Sequence, residues 1–518
     1  MKKAEQPFAL SFTRKEGIPS LAWCLEATSG TRRVAVCHGS RVETSPDAYV
    51  EGAWDGTYAD MAMDQGVCMG SGGRIRDGEL VLTAPSHTLE ALYCARVADR
   101  LVVANSLAFA LVRAGLDLDP YYRRYLLDMR SIMRGLRAYV SIIPTLQGIP
   151  IQRHFFCNLV IDRDLQVREE RKPQAPHFER FADYRQYLRS TLERITLNAS
   201  DSSRSFVYRL LATVSRGYDS PACAVLAKEC GCERAMTVRD SSWGNPLDSG
   251  REIGELLFDE VVERKRQAYF HNAGMPEAEF AALGDAGDVQ FSGFEDVLAG
   301  CILTTGFPNA WDLHWDMGSD IRRHDASGSS LGEFRLRVGF IHVPVPFIGC
   351  ENHSDISVIG RSAELDPWRV GGRYDRPVAR RIAEDAGIPR QLFGQRKSAA
   401  ATWWTLQPKS ASQENYEKFR SAHRRSEDET TELVHSLLYW LSRRWLFVGR
   451  QIARVCRKLG IHVEIPQVIP LRFTEPAAEA QLVQWGVSIV RQRYQSNPTS
   501  DCRRGADMAA KDVRREAT

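Results

Sequence analysis

TVSRGYDSP, residues 213–221, is the stretch that decides the fold, because it links an apolar run to a helical pattern through a polar turn. Before it, residues 207–214 are rich in β-branched and aliphatic side chains, which predicts a buried strand. After it, Pro221 suits the first position of a helix over residues 222–230, and Gly231 suits its end. We therefore predict strand, loop and helix in that order.

The predicted loop has the chemistry of an anion site. Its backbone N–H groups and the helix start, which carries about half a positive charge, would face an anion such as phosphate. Ser215 and Ser220 add hydroxyl donors. Asp219 cannot bind phosphate directly, and its obvious use is to hold a magnesium ion that bridges the phosphates. An ordinary strand-to-helix turn is the alternative interpretation.

The order Ser-x-Gly-x-Asp-Ser, here SRGYDS, resembles the pyrophosphate-binding loop of the asparagine synthetase and ATP pyrophosphatase superfamily, usually written SGGxDS. The resemblance implies that Ser215, Gly217, Asp219 and Ser220 bind ATP and pyrophosphate, with Asp219 as a Mg²⁺ ligand. Arg216 stands where the family has its first glycine. Either that position does not need positive φ, or the Arg216 guanidinium has joined the phosphate site as a catalytic group.

A second match follows a predicted strand over residues 301–305. Asparagine synthetases carry SGxGxDE there, and this chain has TGFPN, residues 305–309. The resemblance implies that Thr305 and Gly306 lie close to the nucleotide. The family's acidic metal ligand is missing from the motif, and Asp312 is the expected substitute, with Asp316 as the other candidate.

A third match combines residues 376–383, 387–390 and 395–397, which resemble the late helix, the Leu-Pro turn and the R-x-K segment of the family. The resemblance implies that Lys397 is the catalytic cation. The alternative is a basic, solvated helix to which Arg380, Arg381 and Arg390 simply contribute charge.

Residues 1–150 alternate short apolar runs with glycine-containing breaks, which predicts a β-rich domain in which the GSGG of residues 70–73 is a hairpin loop. Residues 100–106 and the helical pattern to Ala114 resemble the late part of the asparagine synthetase glutaminase domain. That activity needs a cysteine directly after the initiator methionine, and Lys2 stands there. The resemblance therefore implies a degenerate, glutaminase-like αββα domain.

The other segments complete a domain plan. Residues 151–177 suggest a strand pair and a charged linker. Residues 178–410 form the PP-loop domain, where helices over 181–197 and 251–270 and a strand over 235–238 imply a parallel sheet. Residues 411–494 are a helical extension with a long amphipathic helix over 432–459, and residues 495–518 are a disordered tail. The predicted class is α/β throughout.

Composition limits the possible partners and compartments. The 68 basic and 65 acidic residues nearly cancel, which argues against nucleic acid as a partner but leaves room for a local basic patch. The 12 cysteines include no zinc quartet, and the start of the chain lacks the apolar core of a signal peptide. Residues 437–448 are too short to span a bilayer and suggest a buried or interfacial helix. We expect a cytoplasmic protein that is not inserted in membranes, and a homo-oligomer is possible.

The resemblance implies an ATP-dependent ligase that activates a small-molecule carboxylate as an acyl-adenylate and transfers it to ammonia or an amine. Three alternatives stay open. The loop could serve a transfer-RNA-modifying PP-loop enzyme, although the small net charge of +3 argues against that. It could belong to a nucleotide-sensing or scaffold protein, or the likeness could extend to the fold alone.

Overall fold

The computed structural model describes residues 8–240, 249–272, 274–285, 287–372, 374–395, 411–424, 428–458 and 479–495. Three β-sheets organise these residues, two of them antiparallel apart from one strand pair and one entirely parallel. The strands are β1 (Ala9–Arg14), β2 (Trp23–Thr28), β3 (Arg33–His38), β4 (Glu43–Ser45), β5 (Ala48–Trp54), β6 (Cys68–Arg76), β7 (Glu79–Thr83), β8 (Leu92–Val97), β9 (Arg100–Ala104), β10 (Ile142–Ile143), β11 (Ile151–His154), β12 (Cys157–Ile161), β13 (Val167–Arg171), β14 (Arg209–Thr213), β15 (Arg234–Val238), β16 (Glu260–Arg264), β17 (Cys301–Thr305) and β18 (Ile341–Pro344).

The helices are α1 (Leu107–Ala114), α2 (Tyr125–Arg130), α3 (Phe181–Ala199), α4 (Asp219–Glu229), α5 (Arg251–Leu257), α6 (Glu277–Ala281), α7 (Glu295–Leu298), α8 (Gly332–Val338), α9 (His353–Arg361), α10 (Pro377–Asp385), α11 (Ala411–Ala422), α12 (Asp428–Lys458) and α13 (Leu482–Val490). The predicted helices over residues 181–197, 376–383 and 432–459 correspond to α3, α10 and α12. The first of these ends next to a polar break, as expected.

The first part of the chain is a sandwich of the two antiparallel sheets. One sheet has the order β1-β3-β2-β9-β8-β11-β10 and the other β13-β12-β7-β6-β5-β4. Their facing sides share one apolar core, to which Leu25, Val103, Leu82 and Leu159 contribute. Helices α1 and α13 cover the outside of the first sheet, and α3 packs on β5 of the second. The predicted β-rich region is confirmed, and its layers run helix, sheet, sheet, helix.

Two predictions for this sandwich need correction. The strand pair predicted within residues 151–177 is confirmed as β12 and β13, joined by a turn at residues 162–166, but the region is not a linker, because β11, β12 and β13 complete the two sheets. The GSGG segment is not a hairpin loop, since it lies within β6. Its glycines allow close strand contact: a Cβ at Gly70 would lie 2.1 Å from the Glu51 carbonyl oxygen. The turn is instead Asp77-Gly78, where both residues have positive φ.

The parallel sheet has the order β16-β15-β14-β17-β18, so β14 is central. The predicted strands around residues 207–214, 235–238 and 301–305 are confirmed as β14, β15 and β17. Side chains alternate along β14, with Leu210 and Ala212 facing the core that contains α4, and Leu211 facing the core that contains α6 and α8. Both faces are covered by helices, which explains why the middle of β14 and the whole of β17 are buried on both sides.

The prediction of one long helix over residues 251–270 is wrong. Helix α5 ends at Leu257, and residues 260–264 form β16, which pairs in parallel with β15. The β-branched pair Val261-Val262 favours a strand, and pairing beside β15 outweighs the helical spacing of the segment.

The C-terminal region is not a separate appendage. Trp485 of α13 is fully buried in the core beneath the first sheet, and its indole donates to Asn415 of α11 over 2.8 Å. None of the helices in the described ranges is long and apolar enough to cross a membrane. Ten cysteines whose side chains the structure describes form no disulfide with one another.

A buried ion cluster joins the sandwich to the parallel-sheet region. Arg335 of α8 donates to both carboxylate oxygens of Glu51 on β5, over 2.7 and 3.0 Å, and to Glu90 over 2.9 Å. All three side chains are excluded from solvent almost completely. Ser71 also donates to Glu51 over 2.7 Å. The charges are therefore compensated only while the two regions remain in contact.

We expect Arg335→Met to lower the free energy of unfolding by about 3–5 kcal/mol, because it leaves two buried carboxylates without their cation. The matched control is Arg234→Met, which removes an exposed guanidinium paired with Glu260 and should cost about 0–1 kcal/mol. Urea denaturation measures both. Equal losses in the two variants would show that the ion cluster does not hold the regions together.

Candidate functional site

A pocket of about 230 Å³ opens at the carboxyl ends of β14, β15 and β17. From β14 the chain continues to β15 on one side. From β17, the neighbour of β14 on the other side, it continues to β18, farther away from β14. The chain therefore leaves these two adjacent strands in opposite directions, which creates a crevice where open parallel sheets bind ligands. The lining comes from residues 213–220, 236–238, 288–291, 305–309, 325–327 and 374–376, although not every residue in these ranges takes part.

The loop after β14 brings four predicted residues to this pocket: Ser215, Gly217, Asp219 and Ser220. The Ser215 and Ser220 hydroxyls lie 2.6 Å apart, and the Gly217 N–H donates to Ser215 Oγ over 3.2 Å. Helix α4 begins at Asp219, two residues before the predicted start, so Asp219 and Ser220 belong to its first turn. The end of the helix agrees with prediction, since Gly231 follows it with φ of 88°. Helix N–H groups thus face the pocket.

Thr305 and Gly306 lie at the end of β17, as predicted, and line the same pocket. Gly306 permits close contact between β17 and α4, because a Cβ there would lie 2.7 Å from Asp219 Cβ and 2.9 Å from the Ser220 nitrogen. The Thr305 hydroxyl is 2.8 Å from Nε2 of His342, a buried side chain on β18. Burial lowers the pKa of His342 to about 3, so this imidazole is neutral and fixes the orientation of the Thr305 hydroxyl.

The two predicted metal ligands, Asp219 and Asp312, are brought together by a residue that the sequence did not single out as functional. Arg376 pairs with Asp219 and lies 3.5 Å from Asp312, and its side chain is only 2% exposed. Burial raises the pKa of Asp219 to about 6, although Arg376 acts in the opposite direction. Asp219 is therefore a carboxylate whose charge depends on a nearby cation.

These acids have the donor chemistry for Mg²⁺, which prefers carboxylate oxygens. Asp219 Oδ1 is buried and has no hydrogen-bond partner among the described residues, so one oxygen is available to a ligand. The other predicted acid, Asp316, does not reach the pocket: its side chain is 60% exposed and accepts from the Gly318 N–H. Asp325 lines the pocket instead and accepts from Asn309 over 2.8 Å.

Arg216 does not take part in the pocket. Its guanidinium points to Glu252 over 3.1 Å and is partly exposed, and Arg216 is absent from the lining. Arg216 is not among the described residues with positive φ, so this position does not need glycine. The backbone therefore fits the first of the two sequence-based explanations, and the Arg216 guanidinium is directed to Glu252 and not into the pocket. Lys397 lies outside the described residues.

The basic helix predicted around residues 376–383 is not simply solvated. Arg380 of α10 is completely buried, donates to the Tyr218 hydroxyl over 2.6 Å and pairs with Glu384. Tyr218 belongs to the loop after β14, so this hydrogen bond fixes that loop against α10. Arg390, in contrast, fits the solvated alternative, because its exposed guanidinium pairs with Glu384.

One further pocket residue, Asp288, was not identified from the sequence. Asp288 is buried and accepts from the Gly328 N–H and the Ser330 hydroxyl, each over 2.9 Å. Burial raises its pKa to about 7, and neighbouring Asp285 adds to the effect. A carboxyl group with this pKa can exchange a proton near neutral pH. Nothing in the local sequence around Asp288 indicates it, because its environment is formed by residues about 40 positions later.

The pocket has two chemically different ends. Met236 and Val238 at the end of β15, together with Phe291 and Phe307, supply apolar surface. The loop after β14, Thr305 and the acids supply polar groups. This combination suits a ligand with one flat apolar part and one charged part.

No protein-family model matches the chain, and no curated protein matches it either. The chemistry of the site must therefore be argued from its own residues.

We expect Gly306→Ala to lower the free energy of unfolding by about 1–3 kcal/mol, because its methyl group would collide with the start of α4. Gly217→Ala is the matched control. A Cβ there would be 3.4 Å from Ser215 Oγ and 3.6 Å from the Tyr374 hydroxyl, which is ordinary contact. Thermal and urea unfolding measure both variants. Equal stability of the two would contradict the close contact between β17 and α4.

Asp288 should make folding stability dependent on pH. Its folded pKa of about 7 lies above the ordinary 3.8, so the folded state retains a proton that the unfolded chain loses. As pH rises from the ordinary pKa of 3.8 to the folded pKa of about 7, the free energy of unfolding should fall by about 1.4 kcal/mol per pH unit, and it should level off above that. Asp288→Asn should make the decline shallower by this amount in urea unfolding measured across pH, while buried Asp219, whose pKa is also raised, still contributes.

Asp296 provides a control of opposite sign, because the hydrogen bond from Arg264 lowers its pKa. Its contribution to stability is present above the ordinary pKa and is lost as pH falls, so Asp296→Asn should leave the decline toward neutral pH unchanged. A decline that persists unaltered in Asp288→Asn would show that this carboxyl is ionised throughout.

Proposed function

We propose that the protein is an ATP-dependent, amide-forming ligase of the asparagine synthetase type. It activates a small-molecule carboxylate as an acyl-adenylate, releases pyrophosphate, and transfers the acyl group to ammonia or an amine. One observation carries the proposal: Ser215, Gly217, Asp219 and Ser220 of the SRGYDS loop meet Thr305-Gly306 in a single pocket at the crevice of a parallel sheet, and Arg376 of that pocket links Asp219 to Asp312 beside it.

ATP fits the two ends of this pocket. The polar end offers the hydroxyls of Ser215 and Ser220 and the first turn of α4 to the phosphates. The apolar end, with Met236 and Val238, offers a surface on which the adenine can lie. We assign the parallel-sheet region to the PP-loop class of folds on this basis.

Cations would neutralise negative charge at the polar end of the pocket, where the phosphates would lie. Asp219 and Asp312 would hold Mg²⁺, which supplies charge neutralisation for the departing pyrophosphate. Arg376 already compensates both acids, and its planar guanidinium can also contact phosphate oxygens. Lys397 keeps the role that the family resemblance implies, stabilising the negative charge that develops when an amine attacks the adenylate. A fixed cation of this kind is worth about a hundred- to a thousandfold in rate.

The second half-reaction needs a proton acceptor, because ammonium must lose a proton before its nitrogen can attack, and the nitrogen of the attacking ammonia or amine must lose another as the amide forms. Asp288 lines the pocket, and its pKa of about 7 suits that task near neutral pH. Asp325 and Asn309 lie beside the same cavity and can position the acceptor or the carboxylate.

We propose that the sandwich is a glutaminase-like Ntn-type domain that has lost its chemistry. Its helix–sheet–sheet–helix layers support the likeness. Ammonia or an amine is the proposed nitrogen donor. A cytoplasmic location is part of the same proposal.

A nucleotide-binding scaffold is the second candidate, and Arg376 is the observation that favours it. Its guanidinium sits between the two acids that would otherwise hold Mg²⁺, so ATP could bind without turnover. Tight ATP binding with no pyrophosphate release over a panel of carboxylates and amines would favour this candidate over the ligase.

We expect Asp219→Asn to reduce Mg²⁺-dependent pyrophosphate release by at least about a hundredfold, because the Mg²⁺ and phosphate site loses its central charge. The same change leaves Arg376 buried without its main partner, so stability should fall by about 3 kcal/mol. Asp219→Asn combined with Arg376→Met should recover stability but not activity, which separates the two effects.

Asp316→Asn is the matched control for this assay, because it makes the same chemical change at the exposed acid outside the pocket. Its turnover should stay within about twofold of the unmodified protein. Persistence of normal pyrophosphate release in Asp219→Asn would rule out the loop after β14 as the ATP site.

A further inference from the structure

Helix α12 exposes an unusually apolar face. The exposed fraction reaches 72% for Leu433, 52% for Trp440 and 59% for Phe447, and Leu437 and Val448 are also exposed. These residues follow one another at intervals of four, three, seven and one, which places them along one side of the helix. The other side contains Ser442, which is only 4% exposed. The helix therefore turns its apolar side chains toward solvent.

The same helix is strongly basic beyond its first turns. Residues 433–458 include Arg443, Arg444, Arg450, Arg454, Arg457 and Lys458, and they contain no aspartate or glutamate. Arg443 and Arg444 are exposed, beside the apolar face. The chain as a whole has a net charge of only +3, so this helix concentrates positive charge locally.

Aromatic and basic groups meet in one groove on α12. Trp440, Arg443, Arg444, Leu446 and Phe447 line a cavity of about 330 Å³. The Arg444 guanidinium lies 5.2 Å from the centre of the Trp440 ring. The groove therefore offers cations for an anionic headgroup directly beside surface for an acyl chain.

The start of α12 is attached to the rest of the protein. Glu432 pairs with Arg420 of α11 over 3.0 Å and lies 3.9 Å from Arg123. The acids of α12 are confined to this attached end, and the exposed apolar face begins next to it. A surface that binds to the basic part of the helix would thus be held at a defined position on the protein.

We propose that α12 is an interfacial helix that binds an anionic lipid bilayer. Amphipathic helices with tryptophan, phenylalanine and leucine on one face and arginine beside it lie in the headgroup region of membranes. Binding combines burial of the apolar face with attraction to anionic lipids. A second copy of this chain suits the surface less well, because it would bring two positively charged faces together.

The arrangement fits attachment along the surface and not insertion. Basic side chains interrupt the apolar segment, and no helix within the described ranges is suited to span a bilayer. None of the residues that line the pocket at the parallel sheet lies on α12, so membrane binding does not depend on the proposed ligase activity.

The test is co-sedimentation of the full chain with vesicles of phosphatidylcholine alone or mixed with phosphatidylglycerol. We expect binding to the mixed vesicles only, weakening as salt rises. Arg443→Ser combined with Arg444→Ser should weaken binding about thirtyfold, because each arginine near an anionic surface contributes about fivefold. Phe447→Glu should weaken it at least about tenfold, since it places a charge in the apolar face.

Val358→Glu is the matched control. Val358 is 67% exposed on α9, so the variant makes a similar apolar-to-acidic change on another helix and should bind vesicles normally. Failure of the unmodified protein to bind mixed vesicles at low salt would overturn the proposal. Equal vesicle binding by Phe447→Glu and the unmodified protein would also overturn it. A third contradicting outcome is absence of vesicle binding together with self-association in analytical ultracentrifugation that Phe447→Glu abolishes.

Discussion

The contact between Arg335, Glu51 and Glu90 is the constraint on which the assembly of the two regions depends. Removing a charged group from water costs several kcal/mol, and the cost is offset only when a partner of opposite charge is held in good geometry. Here the cation comes from α8 and one of its anions comes from β5 of the sandwich. Neither region can bury its own share of the cluster alone, so the two regions must fold against each other.

Buried arginines recur at other positions that matter. Arg376 compensates Asp219 at the pocket, and Arg380 supports Tyr218 behind it. Arg204 pairs with Glu43 where the chain leaves α3 for β14. In each case a planar guanidinium joins segments that are far apart in sequence, which suits its several donors and permanent charge. Such pairs specify one arrangement of the chain strongly, because any alternative would leave a charge uncompensated.

Burial and charge pairing also set the pKa values of the acids in the pocket. Burial raises the pKa of a carboxyl group and a neighbouring cation lowers it, so the charge of a buried carboxyl beside a buried cation is sensitive to whatever else binds there. Asp219 has this character because burial and Arg376 act in opposite directions. Asp288 reaches a similar pKa mainly through burial, without a guanidinium in direct contact. Two acids whose pKa values have different causes are suited to different tasks, which the proposed function places at the phosphates for Asp219 and in proton transfer for Asp288.

Short-range features were predictable from the sequence because they depend on neighbours along the chain. The strand before SRGYDS, the helix after it and its end at Gly231 follow from side-chain type and glycine geometry, and so does the strand before Thr305-Gly306. Errors arose where pairing with a distant strand outweighed local preference. Residues 260–264 became β16 beside β15, and the glycines of β6 serve close strand contact instead of a turn.

The sequence by itself determined the elements on either side of the SRGYDS loop, the parallel sheet and four loop residues that reach the pocket. Only the tertiary structure decided the electrostatics, because pKa and ion pairing depend on groups that are near in space and distant in sequence. Arg376 meets Asp219 across 157 positions, and no local pattern reveals that contact. Arg216 shows the converse: it lies within the motif, yet folding directs its side chain to Glu252 and away from the pocket.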